Sequence, residues 1–143
     1  MLKKLLVAGI AALLLGACDS PPPQAAPPPP PPPPPTSFMV FFDWDRSNLS
    51  SQAMTTIQQA AAAYKSRGAA RVTATGHTDT SGSETYNMAL SLRRANTVKD
   101  ALVREGVPAT AISVVGRGET QPLVQTADGV REPQNRRVEI VIQ

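Results

Sequence analysis

The chain has 143 residues, among them 15 prolines, one cysteine and one histidine, with a formal net charge of +3. A single cysteine excludes an intramolecular disulfide and any Cys-rich metal site. Aromatic residues make up 4% of the chain and no basic stripe is interleaved with them, so no nucleic-acid interface is expected.

The chain opens MLKKLLVAGIAALLLGAC, with Lys3 and Lys4 ahead of an apolar run from Leu5 to Leu15. That pattern predicts a secretory signal peptide over residues 1–17, shorter than the roughly 20 residues a membrane span requires. The tripeptide Leu15, Gly16, Ala17 before Cys18 resembles the lipobox of bacterial lipoproteins, which implies acylation of Cys18. A covalent lipid such as palmitate on Cys18 is therefore expected as the membrane anchor, with no other cofactor and no metal. Loss of Lys3 and Lys4 with the leader lowers the formal side-chain charge from +3 to +1, so the high overall pI says little about partners.

Residues 18–37 form a linker holding twelve of the fifteen prolines. Proline fixes φ and lacks an N–H donor, so the segment is expected as a polyproline II spacer. At about 3.1 Å per residue, Ser20 to Thr36 would span roughly 50 Å and set a standoff between anchor and domain.

Residues 38–143 suffice for one core. The run FMVFFDWD predicts a buried strand ending at Asp43 or Asp45. A helix follows, with Ser50 or Ser51 as N-cap, Met54, Ile57, Ala61 and Tyr64 at helical spacing, and Gly68 as its stop. RVTATG alternates as a second strand. Residues 84–105 form a long helix closed by Gly106 and Pro108, and AISVVG and RRVEIVI supply two more strands. The order β-α-β-α-β-β implies an α/β sandwich, with two helices on one face of a mixed parallel/antiparallel sheet. Gly118 to Asn135 is a long connection carrying Pro122, Asp128, Gly129 and Pro133, of a length that is usually functional or mobile.

On the second helix, at 100° per residue, Ala95, Val98, Ala101 and Leu102 define the buried stripe. Extended toward the N-terminus, that stripe meets Asn87, Ser91 and Arg94, whereas Arg93 points to the solvent side. An inward arginine needs a partner, because an unpaired buried charge costs several kcal/mol. Asp79, in the loop before this helix, is available. Two arrangements satisfy the pattern: an internal Asp79 to Arg94 salt bridge, or an open pocket in which both groups meet a ligand of opposite charges. Catalysis fits less well. His77, Asp79 and Ser81 lie in one short loop, where a triad would need the base between nucleophile and acid. There is no GxSxG elbow, and one histidine makes a poor zinc site. His77 is read as a structural hydrogen-bonder and the chain as a non-enzyme.

The motifs FFDWD (41–45), GHTDTSGSETYNMALSLRRANTVKDAL (76–102), GRGE (116–119) and NRRVEI (135–140) together resemble the OmpA-like C-terminal domain family. With the lipobox and linker, the resemblance is to the peptidoglycan-associated lipoprotein (Pal) type, and it covers residues 38–143. It implies noncovalent binding of the diaminopimelate residue of the peptidoglycan stem peptide. Arg94 would take a carboxylate and Asp79 the ammonium, with Asn87, Thr78, Leu90, Phe42 and Asp43 as pocket walls. Arg136 and Arg137 match a family motif and are read as mainly structural. The resemblance further implies an outer-membrane tether facing the periplasm and Tol-type envelope proteins as partners. Asp19 after the cysteine resembles a signal for inner-membrane retention, and the domain could instead serve a stator-like or peptidoglycan-modifying machine.

Overall fold

The computed structural model describes residues 22–68 and 70–143; the expected signal peptide, Cys18 and Asp19 lie outside them. The chain divides into two units at Pro31 and Pro32. Within the first unit, residues 22–31 are exposed and carry no regular secondary structure. In the second, strand β1 (Thr36–Phe41) is followed by helix α1 (Ser51–Arg67), β2 (Val72–Gly76), α2 (Glu84–Arg104), β3 (Ile112–Gly116) and β4 (Arg137–Ile142). Short 3-10 turns at Ala109–Ala111 and Pro133–Asn135 precede the last two strands.

The sheet order is β1-β4-β2-β3, with β4 antiparallel to both neighbours and β2 parallel to β3. The expected β-α-β-α-β-β sandwich is the fold observed, with both helices on one face of a mixed sheet. Val40, Val72, Ala74, Val138, Ile140 and Ile142 meet Ile57, Ala60, Ala61, Val98 and Leu102 in the core. Small alanines along both helices let them approach the sheet, and the period-2 alternation of the strands supplies the matching apolar surface.

Local signals behave as the residue types require. Ser50 is the N-cap of α1 and its hydroxyl accepts from Ala53 N at 3.1 Å. Ser83 does the same for Tyr86 N in α2. At the far end of α2, Gly106 at φ 96° and Val107 bond back to Val103 and Leu102, a Schellman closure.

The first strand departs from expectation in two ways. It ends at Phe41, short of the aspartates, because the chain turns through Asp43–Arg46, with Asp45 at φ 55°. It is also buried on one side only: Val40 is in the core, while Met39 and Phe41 are exposed. A continuous apolar run cannot reveal that no second layer covers the opposite face of an edge strand.

Two glycines set the distance between α2 and the sheet. A Cβ on Gly76 would lie 1.9 Å from the Ser91 carbonyl oxygen, and one on Gly116, its register partner, 2.5 Å from Leu92 Cγ. The polar half of α2 therefore sits directly on the ends of β2 and β3. Gly76→Ala is expected to lose more than about 2 kcal/mol in a denaturant titration, since rigid backbone must move. Gly129→Ala, where nothing lies within 4 Å, is expected to lose about 1 kcal/mol, from its positive φ alone.

Candidate ligand-binding site

The inward polar residues of α2 are buried as the helical spacing predicts: Asn87, Ser91 and Arg94 are at most 1% exposed, and Arg93 is exposed beside the Tyr86 ring. The partners of Arg94 are not the expected ones. Its Nε donates to Arg46 O at 2.8 Å, Nη1 to His77 O at 3.0 Å and Nη2 to Asp43 O at 3.0 Å. Its guanidinium also lies 5.3 Å from the centre of the buried Phe42 ring. Burial pushes the Arg94 pKa down to about 10, opposed by nearby Asp79, so the group stays charged at neutral pH. Three of the five N–H donors of a guanidinium are thus committed to backbone, leaving two.

Asp79 is 3% exposed and pairs with Arg136, whose Nη1 lies 3.3 Å from Oδ2. Its Oδ1 accepts from Ser81 N at 3.1 Å and from Ser81 Oγ at 2.5 Å. A carboxylate offers about four acceptor sites, so one remains. Arg136 also donates from Nε to Phe42 O. These contacts fit the expectation that Arg136 is mainly structural; it supplies the ion pair assigned in one reading to Arg94, and it also lines the same cavity. Its partner lies 57 residues away in the chain, which no local spacing reports.

These groups line a cavity of about 320 Å³. Asp79, Asn87, Leu90 and Arg94 are among its walls. Thr78, Phe42 and Asp43 are not: Thr78 is buried and donates its N–H to Gly118 O, while Phe42 and Asp43 contact the Arg94 guanidinium and border a neighbouring cavity. Trp44, Asp45, Ser81, Gly82, Tyr86 and Arg136 complete the first cavity. Tyr86 was legible in principle, because it stands four residues before Leu90 and eight before Arg94 on one helical face. Its hydroxyl donates to Asp45 Oδ1, and Trp44 Nε1 donates to Ser81 Oγ at 3.0 Å.

The connection from Gly118 to Asn135 is fastened against this site. Gly118 N donates to Ser91 Oγ, and the Asn87 amide donates to Glu119 Oε2 at 2.7 Å and to Asp79 O at 3.3 Å. Thr80 ties residues 126–130 through its hydroxyl and carbonyl. Arg131 stacks on Trp44, 3.5 Å from the ring centre. His77 holds the strand end through its backbone, donating to Arg137 O and accepting from Arg94. Neither ring nitrogen of His77 has a hydrogen-bond partner among the described residues, and Nε2 lies 3.8 Å from Glu139 Oε2. Burial, and next Arg137, pushes its pKa down to about 4, so it is neutral at pH 7. Among the described residues no group of three or more His, Cys, Asp or Glu could hold a metal.

A family model described as OmpA family matches residues 41–136, which include the whole cavity. The chain belongs to the OmpA family. An outer membrane protein of Gluconacetobacter diazotrophicus is 48% identical over 112 residues, 74% of this chain and 30% of that relative. The peptidoglycan-associated lipoprotein of Legionella pneumophila is 39% identical over 103 residues, 72% of this chain and 58% of that one. The crystal structure of the peptidoglycan-associated lipoprotein from Burkholderia pseudomallei matches with a TM-score of 0.69 at 33% identity, over 74% of this chain and 90% of that one. The chain spans less than a third of the first relative's length and just over half of the second's. The domain is OmpA-like of the Pal type.

Removal of the Arg94 guanidinium would strand three carbonyls, each worth about 1–3 kcal/mol when left unsatisfied in a buried setting. Arg94→Ala and Arg94→Lys are both expected to lose about 3 kcal/mol or more in chemical denaturation, since an ammonium cannot reproduce the fork. Arg93→Ala is expected to stay within about 0.5 kcal/mol of the parent.

Proposed function

We propose that this OmpA-family chain is a lipid-anchored envelope protein whose domain binds peptidoglycan noncovalently, through diaminopimelate, and so tethers the outer membrane to the wall. The observation that carries the reading is one cavity presenting both signs of charge: Arg94 and Arg136 line it together with Asp79 and Asp45. The relatives named peptidoglycan-associated lipoprotein support the polymer as the partner.

Diaminopimelate ends in a carbon bearing an ammonium and a carboxylate. The two uncommitted donors of Arg94 suit the carboxylate, and fixed donors of this kind cost no reorganisation on binding. The last acceptor site of Asp79 suits the ammonium, with Asp45 at the mouth as a second acceptor. Tyr86, Trp44 and Leu90 cover the aliphatic carbons between. Because the guanidinium is already held by backbone, binding requires no rotamer search by Arg94.

The remaining parts serve the same task. An acyl chain on Cys18 would hold the mature protein on the membrane, and the proline-rich spacer would give the domain reach. Outer-membrane placement agrees with the name of the Gluconacetobacter relative, whereas Asp19 points to inner-membrane retention. Tol-type envelope proteins are partners by family resemblance.

Asp79→Asn keeps the shape of the side chain and removes its charge. In co-sedimentation with purified sacculi it is expected to weaken binding at least tenfold, in line with the roughly 2–5 kcal/mol lost when one member of a buried charge pair is removed. Arg93→Ala is expected to pellet as the parent does. Equal pelleting of Asp79→Asn and the parent contradicts the assignment.

A further inference from the structure

Arg136 is a shared wall: behind it lies a second cavity, of about 540 Å³, within the range of small-molecule sites at roughly 300–1,000 Å³. Its lining combines the exposed ring of Phe41 with Asn48, Gln52, Pro133 and Gln134. The side-chain amides of Asn48, Gln52 and Gln134 make no hydrogen bond among the described residues, although each carries donors and an acceptor oxygen. The charged members of the lining are Asp43 and Arg136 only, and Arg136 is already engaged with Asp79 and the Phe42 carbonyl. An anionic ligand would find no free cluster of cations here. A wholly apolar ligand would bury three amides without partners.

Chemistry of this kind suits a neutral ring with hydroxyl and acetamido groups on its edge and C–H bonds on its face. We propose that this cavity binds an N-acetylated amino sugar of the same polymer whose stem peptide occupies the neighbouring cavity. The inference rests on the peptidoglycan reading and deepens it. Peptidoglycan presents such sugars covalently joined to the stem peptide, and the two cavities share Arg136 as a wall. The edge of β1, which bears Phe41 opposite Arg137, thereby gains a role: its outward ring is the platform for the sugar face.

Calorimetric titration of the full chain with two probes tests this, one the free stem tripeptide ending in diaminopimelate, the other the same tripeptide on its N-acetylglucosaminyl-N-acetylmuramyl disaccharide. The disaccharide probe is expected to bind at least about tenfold tighter, a difference of about 1.4 kcal/mol. Phe41→Ala and Asn48→Ala, neither of which borders the smaller cavity, are each expected to cut that advantage while leaving free-tripeptide affinity unchanged. Equal affinity of the two probes for the parent chain overturns the sugar site alone, as does an advantage that survives both substitutions. Binding of neither probe overturns the peptide reading and the sugar site together.

Discussion

A single buried guanidinium organises the binding face of this domain. Arg94 reaches from the middle of α2 to the carbonyls of Asp43, Arg46 and His77, and so ties the turn after β1 and the loop after β2 to one helix. Those two segments supply Trp44, Asp45, Asp79 and Ser81 to the cavity. A charge taken out of water must be fully hydrogen-bonded to persist, and here the backbone provides the bonds. The residue that defines the pocket is therefore also the one that holds its walls together, so loss of binding on its replacement does not by itself prove a ligand contact.

The glycines at 76 and 116 make this arrangement reachable. They remove the atoms that would hold α2 away from the sheet at Ser91 and Leu92. Close approach of the helix brings Asn87 to Glu119 and Ser91 to Gly118, which fastens the long connection beside the pocket. That connection is long because it must cross the strand ends and return as β4. Thr80 and the stacking of Arg131 on Trp44 hold its far part against the site. Its turn-rich composition announced a loop, while the bonds that pin it come from residues distant in sequence.

What the sequence disclosed follows the range of the interactions concerned. Helix caps, helix faces and strand alternation depend on residues within one turn of each other, and Ser50, Gly106 and the inward Arg94 were readable for that reason. The partner of Asp79 depends on where β4 returns, and pairwise reasoning along the chain pointed to Arg94 when the ion pair is made by Arg136. Asp45 and Trp44 were not read as site residues because the strand was expected to end at Asp43 or Asp45, and the turn that presents them becomes visible only with Asp45 at φ 55°. Whether β1 had one covered face or two was also beyond local reading, since that is settled by the number of layers.

Recognition of a zwitterion by a preformed charge pair is the central claim, and the distal carboxylate of diaminopimelate is its most specific element. Lysine at the same stem position keeps the ammonium and the aliphatic carbons and lacks only that carboxylate. Titration of the chain with stem tripeptides ending in one or the other isolates the contribution of the Arg94 donors. Binding of the diaminopimelate peptide at least about tenfold tighter is the predicted result, since a charge-assisted hydrogen bond contributes about 1.5–3 kcal/mol. Equal affinity for the two peptides would contradict the account.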